Sequence, residues 1–568
     1  MSDTTVDRAH QKPTTVRSYD RAAATETLED YSLRYAPIAF RRWSPFVITN
    51  VALGGIAYLA DFAIGSAVVF TNGAASGITA ILAAALIIFV TGIPIARACA
   101  KYSVDMDLLT RGTGFGYFGS TLTSLIYASF TFIFFALEGS IMAQAVKLWT
   151  GLPLPIGYLV TSLIIIPLVI YGMKALAKLH MWTQPVWLVL LVLPFVAVMV
   201  NQPGALSAFV GFAGADGKHG SFTWTGFGLG MGVALSLIAQ IGEQADYLRF
   251  MPPRTEANKR SWEFATLAAG PGWVILGALK QLGGALFAVA ALGAGATVAE
   301  AGQPIYQYVG TIRPWFGDLA VTVAAIFVIL SQVKINTTNA YSGSLSWSNF
   351  FSRITHRHPG RVYYVFLNVA VAIVLMELNM FSFLNTILGF YSNVGIAWIA
   401  AVCADLVINK PLGWSPPYVE FKRAYLYSVN PVGFGAMTVA SVVSIIAFFG
   451  AFGDLAAAFS PMIALVLAGV LSPLLAWLTK GKYYLARPNL VSGPDAPAGE
   501  RVGEPGTAEQ LTCGRCGLSY ERPDMADCTF IADEICSLCC SLESACHDEC
   551  KSTTGPVAIG MPAVPSAG

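Results

Sequence analysis

From about residue 44 to residue 480 the chain alternates long apolar runs with short polar links. A helix crosses the hydrocarbon core of a bilayer with roughly 20 apolar residues. About twelve runs approach that length: 44–70, 76–98, 118–148, 155–173, 181–201, 224–248, 263–293, 318–342, 363–379, 384–408, 433–453 and 458–479. Inside a membrane a helix satisfies its own backbone polar groups, so runs of this length fold as spans. The expected fold class is an all-α polytopic membrane protein. Composition agrees: 12% of residues are charged, against roughly 25% in soluble domains. The mean hydropathy is +0.61. A chain this poor in charge could not cover two or three soluble domains. A net charge of +1, with no pooled basic patch, gives no footing for nucleic acid.

Lys and Arg accumulate in cytoplasmic links and so set orientation. Links after even-numbered runs hold Arg97, Lys101 and Arg111; Lys174 and Lys178; Arg249, Arg254, Lys259 and Arg260; Arg353, Arg357 and Arg361; Lys410, Lys422 and Arg423. The opposite links hold Lys147, Lys218 and Arg313. Both termini are therefore expected in the cytoplasm, with the bundle in the inner (plasma) membrane. Arg41-Arg42-Trp43 ahead of the first run agrees.

The expected divisions are an N-terminal cytoplasmic segment 1–43 and a bundle 44–480. A linker 481–512, a Cys-rich module 513–550 and a disordered tail 551–568 follow. No apolar stretch in the first segment reads as a cleaved signal peptide.

Several polar features interrupt the apolar runs. Gly54-Gly55 lie near the middle of span 1, and Gly226, Gly228, Gly230 and Gly232 open span 6. Broken helices at corresponding places in two halves point to a site near the bilayer midplane. Close helix packing explains the same glycines equally well. Glu138 in span 3, Lys280 in span 7 and Lys334 in span 8 place charge in the membrane. Intramembrane charge is expensive and by default functional; a structural Glu–Lys pair holding helices together is the alternative. Glu243, Asp246 and Arg249 read as an interfacial network that gates the inner mouth, and Asp61 as a group near the outer face. His356 and His358 read as solvated in a basic loop. No phosphate loop, His-Glu-x-x-His or Gly-x-Ser-x-Gly occurs in the bundle, so no enzyme is expected.

Five stretches carry a family resemblance. They are Arg42-Trp43-Ser44-Pro45-Phe46, Thr110-Arg111-Gly112-Thr113-Gly114-Phe115-Gly116, Asp246-Tyr247-Leu248-Arg249-Phe250, Asn339-Ala340-Tyr341-Ser342, and Asp405. In order and placement they resemble the nucleobase–cation symporter family 1, the purine, cytosine, allantoin and hydantoin permeases, over about residues 28–480. The resemblance implies a leucine-transporter-type fold: two inverted five-span repeats, two further spans and alternating access. It also implies a substrate pocket of Phe134, Glu138, Tyr58, Ser236, Leu237 and Asn339. Such a set offers an aromatic face for a flat heterocycle and polar groups to read its edges. Two departures stand out. Leu237 replaces a family tryptophan, and Glu138 replaces a glutamine. An ionised carboxylate only accepts hydrogen bonds and favours rings rich in N–H.

The same register puts the family's coupling cation between carbonyls of Gly54 and Ala57 and side chains at Val333 and Lys334. Valine offers no oxygen. An ammonium at Lys334 would stand where sodium stands, with Glu138 as its partner, so proton coupling is expected over sodium.

In the tail, Cys513-x-x-Cys516 and Cys536-x-x-Cys539 have the spacing of paired zinc knuckles. Cys528, Cys540, Cys546 and Cys550, with His547, could supply a second site. Thiolates in a small cytoplasmic module suit zinc; an iron–sulfur cluster is the minor alternative. The expected function is import of a nucleobase or related heterocycle, purine or cytosine foremost, by cation symport. A cytoplasmic protein partner is expected for the tail. The rival reading is a membrane solute sensor that signals through that tail.

Overall fold

The structure is a computed structural model that describes residues 32–41, 43–487 and 509–551. Arg42 and most of the expected first segment, linker and final tail lie outside the described residues. Among the described residues, nine helices are long and apolar enough to cross a membrane, and two shorter apolar helices accompany them.

The first run does not form one helix. Helix α1 (Pro45–Gly55) stops, four residues run without helical structure, and α2 (Ala60–Tyr102) begins. At 43 residues, α2 is about twice the length of a span, and it divides at Gly73. There φ is +72° and a Cβ would lie 2.0 Å from the His219 carbonyl oxygen. Only glycine turns the chain at such a point, and this is where the first two apolar runs meet.

The middle runs give α3 (Ser120–Thr150), α4 (Leu154–Ile170), α5 (Gly172–Asn201), α6 (Trp224–Leu248) and α7 (Lys259–Gly293). An amphipathic helix, α8 (Pro304–Phe316), occupies a link that the hydropathy reading left empty. Only one of its faces is apolar, so no continuous run marks it. Then come α9 (Leu319–Thr355), α10 (Arg361–Glu377), α11 (Leu384–Ala404), α12 (Pro431–Phe448) and α13 (Ser460–Thr479).

Two contacts organise the bundle. Helix α9 crosses α3 at Gly343, where a Cβ would meet Asn368 Oδ1 at 2.5 Å and Thr131 Oγ1 at 2.6 Å. Helix α7 crosses the first part of α2 at two glycines. A Cβ on Gly65 would lie 1.8 Å from the Gln281 carbonyl oxygen, and one on Gly284 would lie 2.3 Å from Phe62 Cα. The glycines of α6 serve the same end. A Cβ on Gly230 would meet Val68 at 2.9 Å, and one on Gly228 the Ala458 carbonyl at 2.9 Å. Helix α6 runs unbroken through them and changes character later, at Ser236–Gln240, where it tightens to 3-10 geometry.

The Cys-rich module is two antiparallel hairpins and a short helix. Strands β1 (Gln510–Thr512) and β2 (Ser519–Glu521) pair, as do β3 (Met525–Cys528) and β4 (Asp533–Cys536), and α14 (Ser537–Leu542) follows. Part of the expected linker is built into the bundle: Leu485 pairs with Leu426.

Overpacking a tight crossing costs roughly 1–3 kcal/mol. Gly65→Ala and Gly284→Ala should each lower the thermal midpoint of the purified protein accordingly. Gly293→Ala, whose Cβ would meet nothing within 4 Å, should leave it unchanged.

Candidate functional site

A helix interrupted inside a membrane exposes carbonyls at one end and N–H groups at the other, with no water to satisfy them. Both ends of the α1–α2 interruption are met by charge. Glu138, on α3, accepts the Leu59 N–H at 3.2 Å and the Ala60 N–H at 3.1 Å. Lys280, on α7, donates from Nζ to the carbonyls of Ile56 at 2.7 Å and Tyr58 at 2.8 Å. The same Nζ lies 2.9 Å from Asp61 Oδ2 and 3.8 Å from the centroid of the Tyr58 ring. Gln281 donates to the other oxygen of Asp61 at 2.9 Å. An anion thus caps the N-terminal end of one half-helix and a cation the carbonyls leaving the other, as their dipoles require. Glu138, Lys280 and Asp61 are all buried. Asp61, expected near the outer face, instead belongs to this centre. Its position within an apolar run does not reveal a partner on α7.

A second irregularity lies in α6, at its 3-10 segment Ser236–Gln240. Ser236 donates to the Val233 carbonyl at 2.7 Å, and Leu237 is buried beside it. Gln240 donates to Glu243 Oε2 at 2.5 Å. Glu243 interacts electrostatically with Glu138 and Tyr58. Among the described residues, Glu243 Oε1, both amide atoms of Gln244 and Asn339 Oδ1 are buried without a hydrogen-bond partner. Buried polar atoms are rarely left so, and each calls for an explanation.

Of the six expected pocket residues, Tyr58 and Glu138 meet at the break itself. Phe134 lies one turn before Glu138 and packs on Phe130, ring centroids 4.5 Å apart. Phe130 in turn approaches Tyr391 of α11 at 6.3 Å. Asn339 donates to Asn336 at 3.2 Å, and Asn336 to the Phe135 carbonyl at 3.4 Å, which ties this part of α9 to α3. Ser236 and Leu237 stand in the 3-10 segment of α6.

The four expected cation-coupling residues are arranged differently from the expectation. The Gly54 carbonyl accepts the Ala57 N–H at 3.3 Å. Val333 is half-buried among apolar neighbours. The Lys334 ammonium turns to α5, donating to Gln184 Oε1 at 2.7 Å, Thr183 Oγ1 at 3.1 Å and the His180 carbonyl at 3.3 Å. Its hydrogens are thus directed to α5, and the carbonyls of the break belong to Lys280 instead. His180, which the sequence did not single out, fills the space between α1 and α9. Its ring nitrogens lie 3.1 Å from the Val51 carbonyl and 3.2 Å from the Lys334 carbonyl. Gly54 makes room for it: a Cβ there would lie 2.3 Å from Nδ1.

Beyond α6 the expected charged network exists, but it is buried rather than interfacial. Arg249 lies 3.4 Å from Asp105 and donates to the Tyr341 hydroxyl at 2.9 Å. Asp246 accepts from Ser342 at 2.5 Å and Tyr127 at 3.3 Å. His358, expected in solvent, is buried with its Nδ1 3.2 Å from Ser352. His356 is half-buried, 3.5 Å from the Ser541 carbonyl of the Cys-rich module.

In that module the sulfurs of Cys513, Cys516, Cys536 and Cys539 lie within 4.8 Å of one another, all four buried. Hydrogen bonds from the neighbouring thiols hold Cys513 well below the usual thiol range. The Cys536 and Cys539 N–H groups donate to sulfur at 3.3 and 3.4 Å. Four converging sulfurs with N–H support fit a tetrahedral metal ion. Cys528, Cys540, Cys546 and Cys550 line one further cavity of the module. Among the described residues only the first quartet closes to within 4.8 Å.

The module is seated on the bundle by charge. Arg34 lies 2.7 Å from Asp524, with its guanidinium 4.1 Å above the Tyr520 ring. Glu521 accepts from the Tyr35 hydroxyl and, at 2.8 Å, from the Ile38 N–H. Burial pushes the Tyr35 hydroxyl up, so it keeps the proton it donates. Lys422 donates to the carbonyls of Pro523 and Met525, and Arg423 to those of Cys540 and Glu543.

No protein-family model matches the chain, and no curated protein matches its sequence. Solved structures do. A nucleobase-cation-symport-1 family transporter, closed with bromovinylhydantoin bound, aligns over 79% of this chain and 98% of its own, at 17% identity and a TM-score of 0.58. The same transporter facing inward aligns over 78% and 93%, at 17% identity and a TM-score of 0.56. A Na+-coupled sialic acid symporter, outward-open with substrate bound, aligns over 80% and 94%, at 15% identity and a TM-score of 0.52. The likeness is one of fold: this chain shares the helical architecture of these symporters.

Two outcomes follow from these geometries. Glu138→Ala removes the acceptor of two buried N–H groups and should destabilise the purified protein by about 1–3 kcal/mol. Glu138→Gln, which keeps one oxygen, should recover part of the loss in the same thermal assay. Stripping metal with a chelator, or Cys513→Ser, should unfold the module. Amide exchange should then rise in residues 32–41 and 419–426, and stay unchanged in α3.

Proposed function

We propose that the chain is a secondary active transporter, not an enzyme, which imports a nucleobase or related heterocycle by alternating access. The observation that carries this reading is the helix break at 56–59, together with the 3-10 segment of α6 at 236–240 and the buried polar atoms that lack partners. Interrupted helices of this kind are where transporters bind solute. The twelve apolar runs and the transporter fold agree with it. The proposed topology is twelve spans in two inverted five-span repeats, led by α1–α2 and α6, plus α12 and α13. Both termini face the cytoplasm of a plasma (inner) membrane.

The proposed pocket is Phe134, Glu138, Tyr58, Ser236, Leu237 and Asn339. Phe134 gives the ring a face to stack on, and Asn339 and Glu138 read its edge. Glu243 and Gln244 join this set on the strength of their unpaired atoms. Purine or cytosine is the preferred substrate and a proton the preferred coupling ion. Zinc is the proposed occupant of the Cys513–Cys516–Cys536–Cys539 quartet, with the second quartet a further candidate. The module's seat on the bundle suits a docking or regulatory role toward a cytoplasmic protein.

Accumulation of labelled substrate against a gradient in whole cells should occur, and purines or pyrimidines should compete better than hydantoins. Binding without accumulation would favour the sensor reading instead. Phe134→Ala should weaken binding by about 1–3 kcal/mol, the scale of a stacked base, and Glu138→Gln should change which bases compete. Unchanged competition profiles in both, with normal insertion, would remove these residues from the pocket.

A further inference from the structure

Lys280 has a role in the bundle that its surroundings define closely. Its nitrogen has three oxygen neighbours: the Ile56 carbonyl at 2.7 Å, the Tyr58 carbonyl at 2.8 Å and Asp61 Oδ2 at 2.9 Å. A neutral amine carries two hydrogens and an ammonium three. With Asp61 ionised all three neighbours are acceptors, and the three hydrogens of an ammonium match them one to one. The aromatic face of Tyr58, 3.8 Å away, adds the attraction of a ring for a cation.

Without the lysine, the remaining donor set is two backbone carbonyls of an interrupted helix and one carboxylate. Carbonyl oxygens of irregular backbone replace the hydration shell of alkali ions in membrane proteins. A carboxylate beside them supplies the balancing charge. Lysine and aspartate are both buried, so the pair is neutral as a unit, and one bound monovalent ion would keep it so. We propose that the Lys280 ammonium is a tethered cation filling an alkali-ion position at the α1–α2 break. The break is thereby held in shape without a metal ion. Coulomb repulsion from the fixed charge keeps a second cation out at this range. This deepens the cation-coupling reading above and draws its meaning for transport from it, but the site itself stands on geometry alone.

The test uses the full-length protein purified in detergent, with LiCl, NaCl or KCl titrated against choline chloride at constant ionic strength. The readout is the thermal midpoint, which rises saturably when an ion binds the folded state. The parent protein should give the same midpoint in all four salts. Lys280→Ala should have a lower midpoint in choline and recover it saturably with an alkali ion, sodium foremost. Adding Asp61→Asn to Lys280→Ala should abolish that recovery. If Lys280→Ala does not fold, Lys280→Ser, whose hydroxyl adds an oxygen to the donor set, is read in the same way. A saturable sodium response in the parent would overturn the proposal, as would a folded Lys280 variant indifferent to every alkali ion. A protein that transports nothing would still give these midpoints, so failure of the transport reading and failure of this one are separable.

Discussion

Four residues without helical structure, between Gly55 and Ala60, set the terms for the rest of the bundle. An interrupted helix in hydrocarbon leaves backbone groups that nothing nearby on the same segment can satisfy. Here the satisfaction comes from two other helices, and it comes as charge. Glu138 must lie on the face of α3 turned to the start of α2, and Lys280 on the face of α7 turned to the end of α1. Those requirements fix the rotation of both helices. They also explain the glycines at 65 and 284, which let α7 approach α2 closely enough for a lysine to reach past it. Buried charge is stabilising only where its partners are complete, so the break and its two ions form one cooperative unit.

Helix α9 carries the polar burden of the other half. From Gln332 to Ser348 nearly every residue is buried, polar or not. The stripe pairs with Phe135 of α3, with Asp246 and Arg249 at the end of α6, and with Asp107 ahead of α3. A polar helix inside a membrane protein needs partners on several sides at once. That requirement places α9 at the centre of the bundle and turns the more apolar α12 and α13 toward lipid.

Much of this was legible in the sequence, though unevenly. Apolar runs announce spans because hydrocarbon thickness filters length directly, and Gly54-Gly55 does mark the end of a helix. Glu138 and Lys280 stand out because charge in an apolar run is conspicuous. What a run cannot reveal is which neighbour a side chain faces. Lys334 and Lys280 look equivalent in the sequence, yet one turns to α5 and the other to the break. Asp61 is misplaced and His180 unmarked for a related reason: their significance lies in partners 219 and 154 positions along the chain, Lys280 and Lys334. The glycines of α6 suit a broken helix and close packing alike in the sequence, and the contacts at Gly228 and Gly230 decide for packing. Paired Cys-x-x-Cys spacing was readable because a tetrahedral ion dictates it locally.

The module's position gives the described part of the N-terminal segment its structure. Residues 32–41 contain no long helix, and their apolar side chains are shared out: Leu33 packs in the cluster of the module, Tyr35 and Ala36 in that of the bundle. They are held between the bundle and the module through Arg34, Tyr35 and Ile38. The module, for its part, has only short hairpins and one small apolar cluster, below the size at which a core alone sustains a fold. Each side therefore depends on the other and on the four clustered cysteines. Helix α1 begins only a few residues after the clamped segment, and its far end is the break held by Lys280. The chain from Arg34 to Asp61 is thus fixed at both ends, by the module with its metal-competent thiol cluster and by an ion pair inside the bundle. A movement of α1 relative to the bundle has to disturb at least one of these two anchors.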